Sequence, residues 1–355
     1  MTLRRMQVTD FRCLHQADLV LDPLYTLISG PNASGKTSLL EAMYLLGRGR
    51  SFRTRRLERL IRTGADRLIL FGEVDLDGRR VALGVEGTAA GIRAKLAGEK
   101  AASLAALASV FPVQIIDPEV HRLIEEGPSR RRRFLDWGVF HVEPTFVEHW
   151  QKYQTALKQR NAALRAHGAR SVVGAWDHEL IRYGELMNSA RARYVELLAS
   201  RARTLAVDLL AMELDLSYRP GWNRDLSLRE ALDASFAQDQ EVGVTQVGPQ
   251  RGELHIRLDG TAVKDRISRG QQKLLAAALL ISQLQLFPED APVQPTLLLD
   301  DPAAELDDER LNALIQAVSA PKGVQLIVST LHAEFRSFGT PGRRYELAGG
   351  SVRAI

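Results

Sequence analysis

Residues 30–37, Gly30-Pro31-Asn32-Ala33-Ser34-Gly35-Lys36-Thr37, constrain this chain more than any other stretch. They match GxxxxGK[ST], a loop that works only between a strand and a helix. Both flanks are present. Tyr25–Ser29 (YTLIS) reads as a buried strand, and Thr37 to Leu46 reads as a helix ended by Gly47. Glycines let the backbone wrap a phosphate chain, and successive N–H groups with the helix N-terminus supply fixed positive potential. Lys36 would reach the β- and γ-phosphates and the Thr37 hydroxyl would sit on Mg²⁺. Gly30 through Thr37, with Ser38 behind them, are therefore the candidate ATP-binding residues. The competing reading is a chance glycine turn, which at average usage arises in on the order of one chain in a hundred. The flanks decide against it.

A second signal lies about 260 residues on, in Leu297-Leu298-Leu299-Asp300-Asp301. An all-apolar strand ending in acid suits a sheet strand buried on both faces. Its carboxylates emerge at the C-terminal edge, where ligands bind in open α/β sheets. Asp300 would hold Mg²⁺ and Asp301 would orient the attacking water. With Lys36 these two are the candidate catalytic residues, and Thr37 and Asp300 the candidate metal ligands. Many buried strands end in Asp, so the run carries weight only together with the loop at 30–37.

The rest of the chain shows how the two signals are arranged. Leu68–Leu76 and Arg79–Glu86 flank Asp77-Gly78, a two-residue hairpin signal. From about Glu119 to Gln240 the pattern is mostly helical, with a long periodic stretch over Ala175–Glu213. Strand patterns return near Val242, with another turn at Asp259-Gly260. A helix after Gly270, a strand Thr296–Leu299, a helix from Asp308 and a strand Val324–Ser329 complete a βαβ grammar that implies a parallel sheet. The expected division is an N-terminal half of the nucleotide domain over 1–117, a helical lobe over 118–241 and a C-terminal half over 242–355.

Composition excludes some classes. The one cysteine, Cys13, rules out an intrachain disulfide or a cysteine zinc site, and with no apolar run of membrane-spanning length and no signal-peptide pattern the expected compartment is the cytoplasm, without a membrane partner. Net charge is only +4, but eight arginines lie between Arg48 and Arg67 against two acids, Glu58 and Asp66. A second run is Arg130 to Arg133. Clustered arginines suit phosphate contacts, and a solvated basic face is the alternative for either run. Arg53, Arg55, Arg56, Arg130 and Arg131 are the candidate DNA contacts.

Ile267-Ser268-Arg269-Gly270-Gln271-Gln272-Lys273 opens a helix and resembles the signature motif of ABC and SMC-type ATPases. In those proteins a Ser and a Gly at a helix N-terminus cap the γ-phosphate held by the other subunit. A hydroxyl, bare backbone and a helix N-terminus do form an anion site, and a simple Ser-capped helix is the alternative. Ala304-Glu305-Leu306-Asp307 resembles the D-loop of the same proteins. Further passages narrow the resemblance to the RecF family: Gly47-Arg-Gly-Arg-Ser-Phe52-Arg53, Gly127-Pro-Ser-Arg-Arg-Arg-Arg-Phe134-Leu135-Asp136-Trp137, Gln159-Arg160-Asn161 and Gly248-Pro-Gln-Arg251. The resemblance runs in order over essentially the whole chain.

That resemblance implies an ABC/SMC-type P-loop ATPase head, of mixed parallel and antiparallel strands, with a compact helical insertion. Lys36 and Ser268 are 232 positions apart, a gap that in SMC proteins holds a long coiled coil, whereas here no sustained heptads occur. It further implies Ser268, Gly270, Gln271 and Asp307 as nucleotide contacts, Arg12 as a phosphate contact, and Gln114 as a candidate Q-loop residue. The implied activity is a weak, DNA-stimulated ATPase acting as a switch. An ATP-dependent homodimer would bind duplex DNA and single-strand/duplex junctions at gaps. With RecR and RecO it would support recombinase loading, replication restart and SOS induction. Two departures stand out: Gln250 replaces the histidine usual in that passage, and Thr330 follows the Val324–Ser329 strand where a switch histidine is expected, with His332 two residues on. The rival class, a metabolic P-loop kinase, needs neither a signature helix nor arginine runs.

Overall fold

The computed structural model describes residues 1–355 apart from residues 1, 77, 264–266, 289–290, 292, 304–307, 320, 322, 333–334 and 336, and the side chain of residue 308. The chain divides into two compact units, one of residues 1–120 and 287–355, the other of residues 121–286.

In the first unit, β1 (Leu3–Phe11) and β2 (Leu14–Val20) form a hairpin, and β3 (Tyr25–Ser29) leads through the loop at 30–35 into helix α1 (Lys36–Arg48). Strands β4 (Arg67–Leu76), β5 (Arg79–Thr88), β6 (Gly91–Leu96) and β7 (Glu99–Lys100) extend the hairpin into an antiparallel sheet of order β2-β1-β4-β5-β6-β7. The second sheet is mostly parallel. It contains β8 (Val113–Ile116), which follows the short helix α2 (Leu104–Val110), and later strands described below.

Helix α1 lies between the two sheets, and eleven of its thirteen residues are buried. This explains its sequence, apolar all round rather than on one stripe. It also corrects its expected end. Gly47 does not stop the helix; α1 runs to Arg48 and ends on Gly49, which has φ 63°. Gly47 is there for close approach: a Cβ would lie 2.6 Å from the Phe111 carbonyl oxygen and 2.7 Å from Val113.

The second unit is helical with one small sheet. It holds α3 (Arg122–Glu125), α4 (Pro128–Val142), α5 (Phe146–Arg165), α6 (Arg170–Gly174) and α7 (Asp177–Leu210), the 34-residue helix foreshadowed by the periodic stretch. Strand β9 (Leu214–Arg219) follows, then α8 (Leu228–Val242), β10 (Glu253–Leu258), β11 (Thr261–Ala262) and α9 (Arg269–Leu284). Strand β9 was not expected inside the helical region. Its residues alternate between buried and solvent-facing, and it pairs with β10 to cover α7. Near Val242 the chain is still helical, and strand structure resumes only at Glu253. The segment 242–286, assigned by motif to the nucleotide domain, packs within this helical unit, where α9 lies against α7 and α3.

Two buried arginines knit this unit. Arg160, wholly buried on α5, donates to Asp177 at 2.8 Å, Asp239 at 2.7 Å and Thr245 at 2.8 Å. Arg191 on α7 donates to Asp136 at 2.8 Å and to the Pro249 carbonyl at 2.6 Å. Gln250 bridges the same turn: it accepts from the Tyr153 hydroxyl and donates to the Val247 carbonyl at 2.8 Å, so here it has a structural job.

Back in the first unit, β12 (Thr296–Asp300), α10 (Asp308–Ser319), β13 (Gln325–Thr330), β14 (Arg343–Ala348) and β15 (Ser351–Ala354) close the second sheet. Its order is β15-β14-β3-β13-β12-β8, parallel except for the β14–β15 pair.

Candidate functional site

Strand β13 lies between β3 and β12, and all three point the same way. Register places Asp300 beside Ser329 and Thr330 beside Ser29, so the loop at 30–35 and the acidic strand end share one sheet edge. The loop needs glycine at its first position. Gly30 has φ 152°, and a Cβ there would sit 2.3 Å from the Leu347 carbonyl oxygen.

Inside the loop Lys36 is buried, and its Nζ donates to the carbonyls of Gly30 at 2.6 Å and Pro31 at 2.9 Å. Burial lowers its pKa from the usual lysine value, while Asp301 and Asp300 pull it back up. Ser34 Oγ is shut off from solvent and has no hydrogen-bond partner among the described residues. A buried lysine whose hydrogen-bond partners are backbone carbonyls, beside a buried hydroxyl with no partner among the described residues, favours an anion at this loop. The fit to a nucleotide's phosphates rests on that pair.

Thr37 Oγ1 lies 2.8 Å and 3.1 Å from the two carboxylate oxygens of Asp300, a residue 263 positions away. Ser329, wholly buried, donates from Oγ to Asp300 Oδ1 at 2.6 Å. One hydroxyl and one carboxylate, all oxygen, suit Mg²⁺, which takes its remaining ligands from phosphates and water. Among the described residues no group of three or more His, Cys, Asp or Glu side chains clusters to hold an ion alone. Thr37 and Asp300 are the residues that could hold such an ion beside a nucleotide.

Asp301 adopts φ 47°, a left-handed backbone, held by its N–H on the Ser329 carbonyl at 3.1 Å. Burial raises its pKa above the usual carboxylate range. Lys36 opposes this, Asp300 reinforces it, and nearby His332 also favours the ionised form. Ser329 was not among the expected site residues. The signal available was topological: it lies one residue before the end of the strand that neighbours both β3 and β12.

The other expected residues divide. The Arg12 guanidinium grips Glu41, a fully buried carboxylate on α1, at 3.0 Å and 2.8 Å, and Ser51 and Arg53 meet the same carboxylate. Glu41 ties the Arg12 turn and the start of the arginine run to the P-loop helix. It is the one acid in α1. Arg55 and Arg56 are exposed. Arg130 pairs with Glu126 at 3.0 Å. Arg131 does not suit a DNA contact, because its donors are used on Glu253 at 2.8 Å and 3.1 Å and on the carbonyls of Ile124 and Glu126. Gln114 lies within β8, buried opposite Leu297, rather than in a loop at the ligand edge; Asp117 follows that strand instead. Thr330 closes β13 and is not beyond it. Asp307 lies outside the described residues.

In the second unit, Ser268 caps α9. Its Oγ accepts from the Gln271 N–H at 3.2 Å, and the Gln271 side chain accepts from the Ser268 N–H at 2.9 Å. This reciprocal box satisfies two N-terminal donors. Gln271 therefore orients Ser268, while Gly270 lies in the first turn of α9.

The profile of the RecF/RecN/SMC N-terminal domain matches residues 2–340. DNA replication and repair protein RecF of Vibrio vulnificus (strain CMCP6) is 37% identical over 334 residues, 93% of each chain. The protein of the same name from Pseudomonas putida (strain GB-1) is 43% identical over 319 residues, 88% of this chain and 87% of its own. A solved structure of the recombination mediator protein RecF with ATP, in the RecFOR pathway, aligns with a TM-score of 0.89 at 27% identity, over 100% of this chain and 97% of that one. An SMC head bound to the C-winged-helix domain of ScpA aligns with a TM-score of 0.61 at 15% identity, a likeness of fold alone.

Proposed function

Because the chain belongs to the RecF/RecN/SMC N-terminal domain family, and its curated relatives are DNA replication and repair proteins, we propose that it is an ATP-dependent DNA clamp of recombinational repair. Its architecture is that of an ABC/SMC-type ATPase head with a helical insertion. The observation that carries the reading is the hydrogen bond between Thr37 and Asp300, which joins the P-loop to the acidic strand.

On this reading Lys36 Nζ exchanges the carbonyls of Gly30 and Pro31 for the β- and γ-phosphates, and Ser34 Oγ finds its partner there. Thr37 and Asp300 would hold Mg²⁺, which when bound neutralises phosphate charge. Asp301 orients the attacking water through a carboxylate that its surroundings make more basic than usual. The Ser268 hydroxyl accepts from Gln271, so its own hydrogen is free to donate to the γ-phosphate held by a second copy of the chain. Two ATP molecules would close a head-to-tail dimer, and slow, DNA-stimulated hydrolysis would reopen it.

Arg55 and Arg56 are the DNA contacts this account favours, with Arg53 partly committed to Glu41 and Arg130 to Glu126. The family context extends the proposal to gapped duplexes and junctions, to RecR and RecO as partners, to replication restart and SOS induction, and to action in the cytoplasm. The test is DNA anisotropy across a salt series with ATP present, comparing wild type with Arg55→Ala/Arg56→Ala. Losing two phosphate contacts should flatten the log–log salt slope by about 2. An unchanged slope with unchanged affinity removes this face from the DNA path.

A further inference from the structure

We propose that the groove between β9 and α7 binds an extended segment of a partner polypeptide that carries a basic side chain, added as a strand to the outer edge of β9. The inference is independent of the ATP-clamp reading and concerns the second unit alone.

Strand β9 is the edge of its sheet, since the order is β11-β10-β9. The phase of its hydrogen bonds follows from one contact. Asp259 N–H donates to the Glu213 carbonyl at 2.9 Å, and Leu214 stands opposite Leu258. In an antiparallel pair, bonded and non-bonded residues alternate. Asp215, Ser217 and Arg219 therefore turn their backbone groups to β10, and Leu214, Leu216 and Tyr218 turn theirs outward. The Tyr218 carbonyl accepts from Arg224. The other outward N–H and C=O groups make no hydrogen bond among the described residues. Such a row is a template for a further strand.

A groove of about 840 Å³ runs along this edge. Leu216 and Tyr218 line it from the strand, Trp222 and Leu226 from the segment that follows, and the small Ala192 from the helix. Three further helix-side residues, Glu185, Asn188 and Glu196, fall on one face of α7 by their spacing, beside Ser189 and Arg203. Among the described residues both glutamates, which are exposed, make no ion pair, and the buried Asn188 Oδ1 has no hydrogen-bond partner. The groove's own cations are committed, Arg224 to the Tyr218 carbonyl and Arg203 toward Asp215 at 3.9 Å. Among the described residues Glu185 and Glu196 are thus the lining charges without a partner, and the occupant that answers them is a lysine- or arginine-bearing strand.

A phage-displayed random heptapeptide library panned on the immobilised full chain tests this, with recovered peptides measured by fluorescence anisotropy. The expected peptides carry at least one Lys or Arg. Their binding should weaken about tenfold or more with Ala192→Trp, which fills the groove, and with Glu196→Lys, which reverses its wall. Backbone N-methylation at alternate peptide residues should cost about the same, since each methyl removes one strand hydrogen bond. Glu196 is exposed, so Glu196→Lys keeps the test valid if Ala192→Trp unfolds the chain. The proposal is overturned if no recovered peptide responds to these variants, if the consensus is acidic, or if N-methylation has no effect. It is overturned too if Glu196→Lys abolishes self-association in sedimentation, which would give the groove to a second copy.

Discussion

Ser329→Ala removes one oxygen from the residue that links the two halves of the candidate site. In the structure Ser329 Oγ donates to Asp300 Oδ1 at 2.6 Å, and both residues are buried, so water is poorly placed to replace it. A hydrogen bond to a carboxylate contributes about 1.5–3 kcal/mol. Without nucleotide, Asp300 still accepts from Thr37, and the loss should fall near the lower end of that range. With nucleotide and Mg²⁺, Thr37 serves the ion, and Asp300 would keep neither hydroxyl. Loss of a partner that orients a metal ligand typically lowers metal affinity or activity by about 10–100-fold. The assay is fluorescent-nucleotide titration with Mg²⁺ and again with EDTA. Affinity should fall about 10–100-fold with Mg²⁺ and by no more than about twofold in EDTA. Equal losses in both conditions, or loss of stability alone, would refute the assignment of Asp300 to the metal and leave Ser329 a packing residue.

Arg160→Met should destabilise the second unit by about 3–5 kcal/mol in urea unfolding, because it strands the wholly buried Asp239 carboxylate; adding Asp239→Leu should restore part of the loss. Gly47→Ala should cost about 1–3 kcal/mol by the same measurement, since its methyl enters the Phe111 carbonyl. Asp301→Asn should slow single-turnover hydrolysis about 100-fold or more while ATP binding persists. It should also raise the Tm of the nucleotide-free protein. The Asp301 pKa is raised by folding, so its contribution to stability is present at low pH and lost as pH rises through the folded pKa. The Tm advantage of Asp301→Asn should thus grow from acid to neutral pH. Asn also accepts the left-handed backbone at this position more readily. A flat difference across that range would place the raised pKa elsewhere.

The P-loop, the acidic strand and the Ser268-capped helix start were legible because each is local. Their residues lie within a few positions of one another, and apolar runs such as 297–299 already imply burial on both faces. What stayed hidden depends on partners far along the chain. The four arginines at 130–133 look equivalent in sequence, yet Arg131 is taken up by Glu253, 122 positions on. Gly47 looked like a helix stop because glycine usually ends helices, whereas here Phe111 excludes any side chain. The buried hubs Glu41 and Ser329 are defined by the turns and strands that surround them. Strand β9 carried its period-two pattern in only six residues beside a 34-residue helix, and the helical periodicity outweighed it.

The central claim is that ATP closes two copies of this chain through Ser268. Sedimentation velocity with a slowly hydrolysed ATP analogue, on wild type and Ser268→Arg, addresses it directly. Wild type should shift from monomer to dimer. The variant should bind nucleotide with unchanged affinity and remain monomeric, because a bulky cation would occupy the site meant for the partner's γ-phosphate. A dimer formed equally by both proteins would contradict the account and leave Ser268 a helix cap.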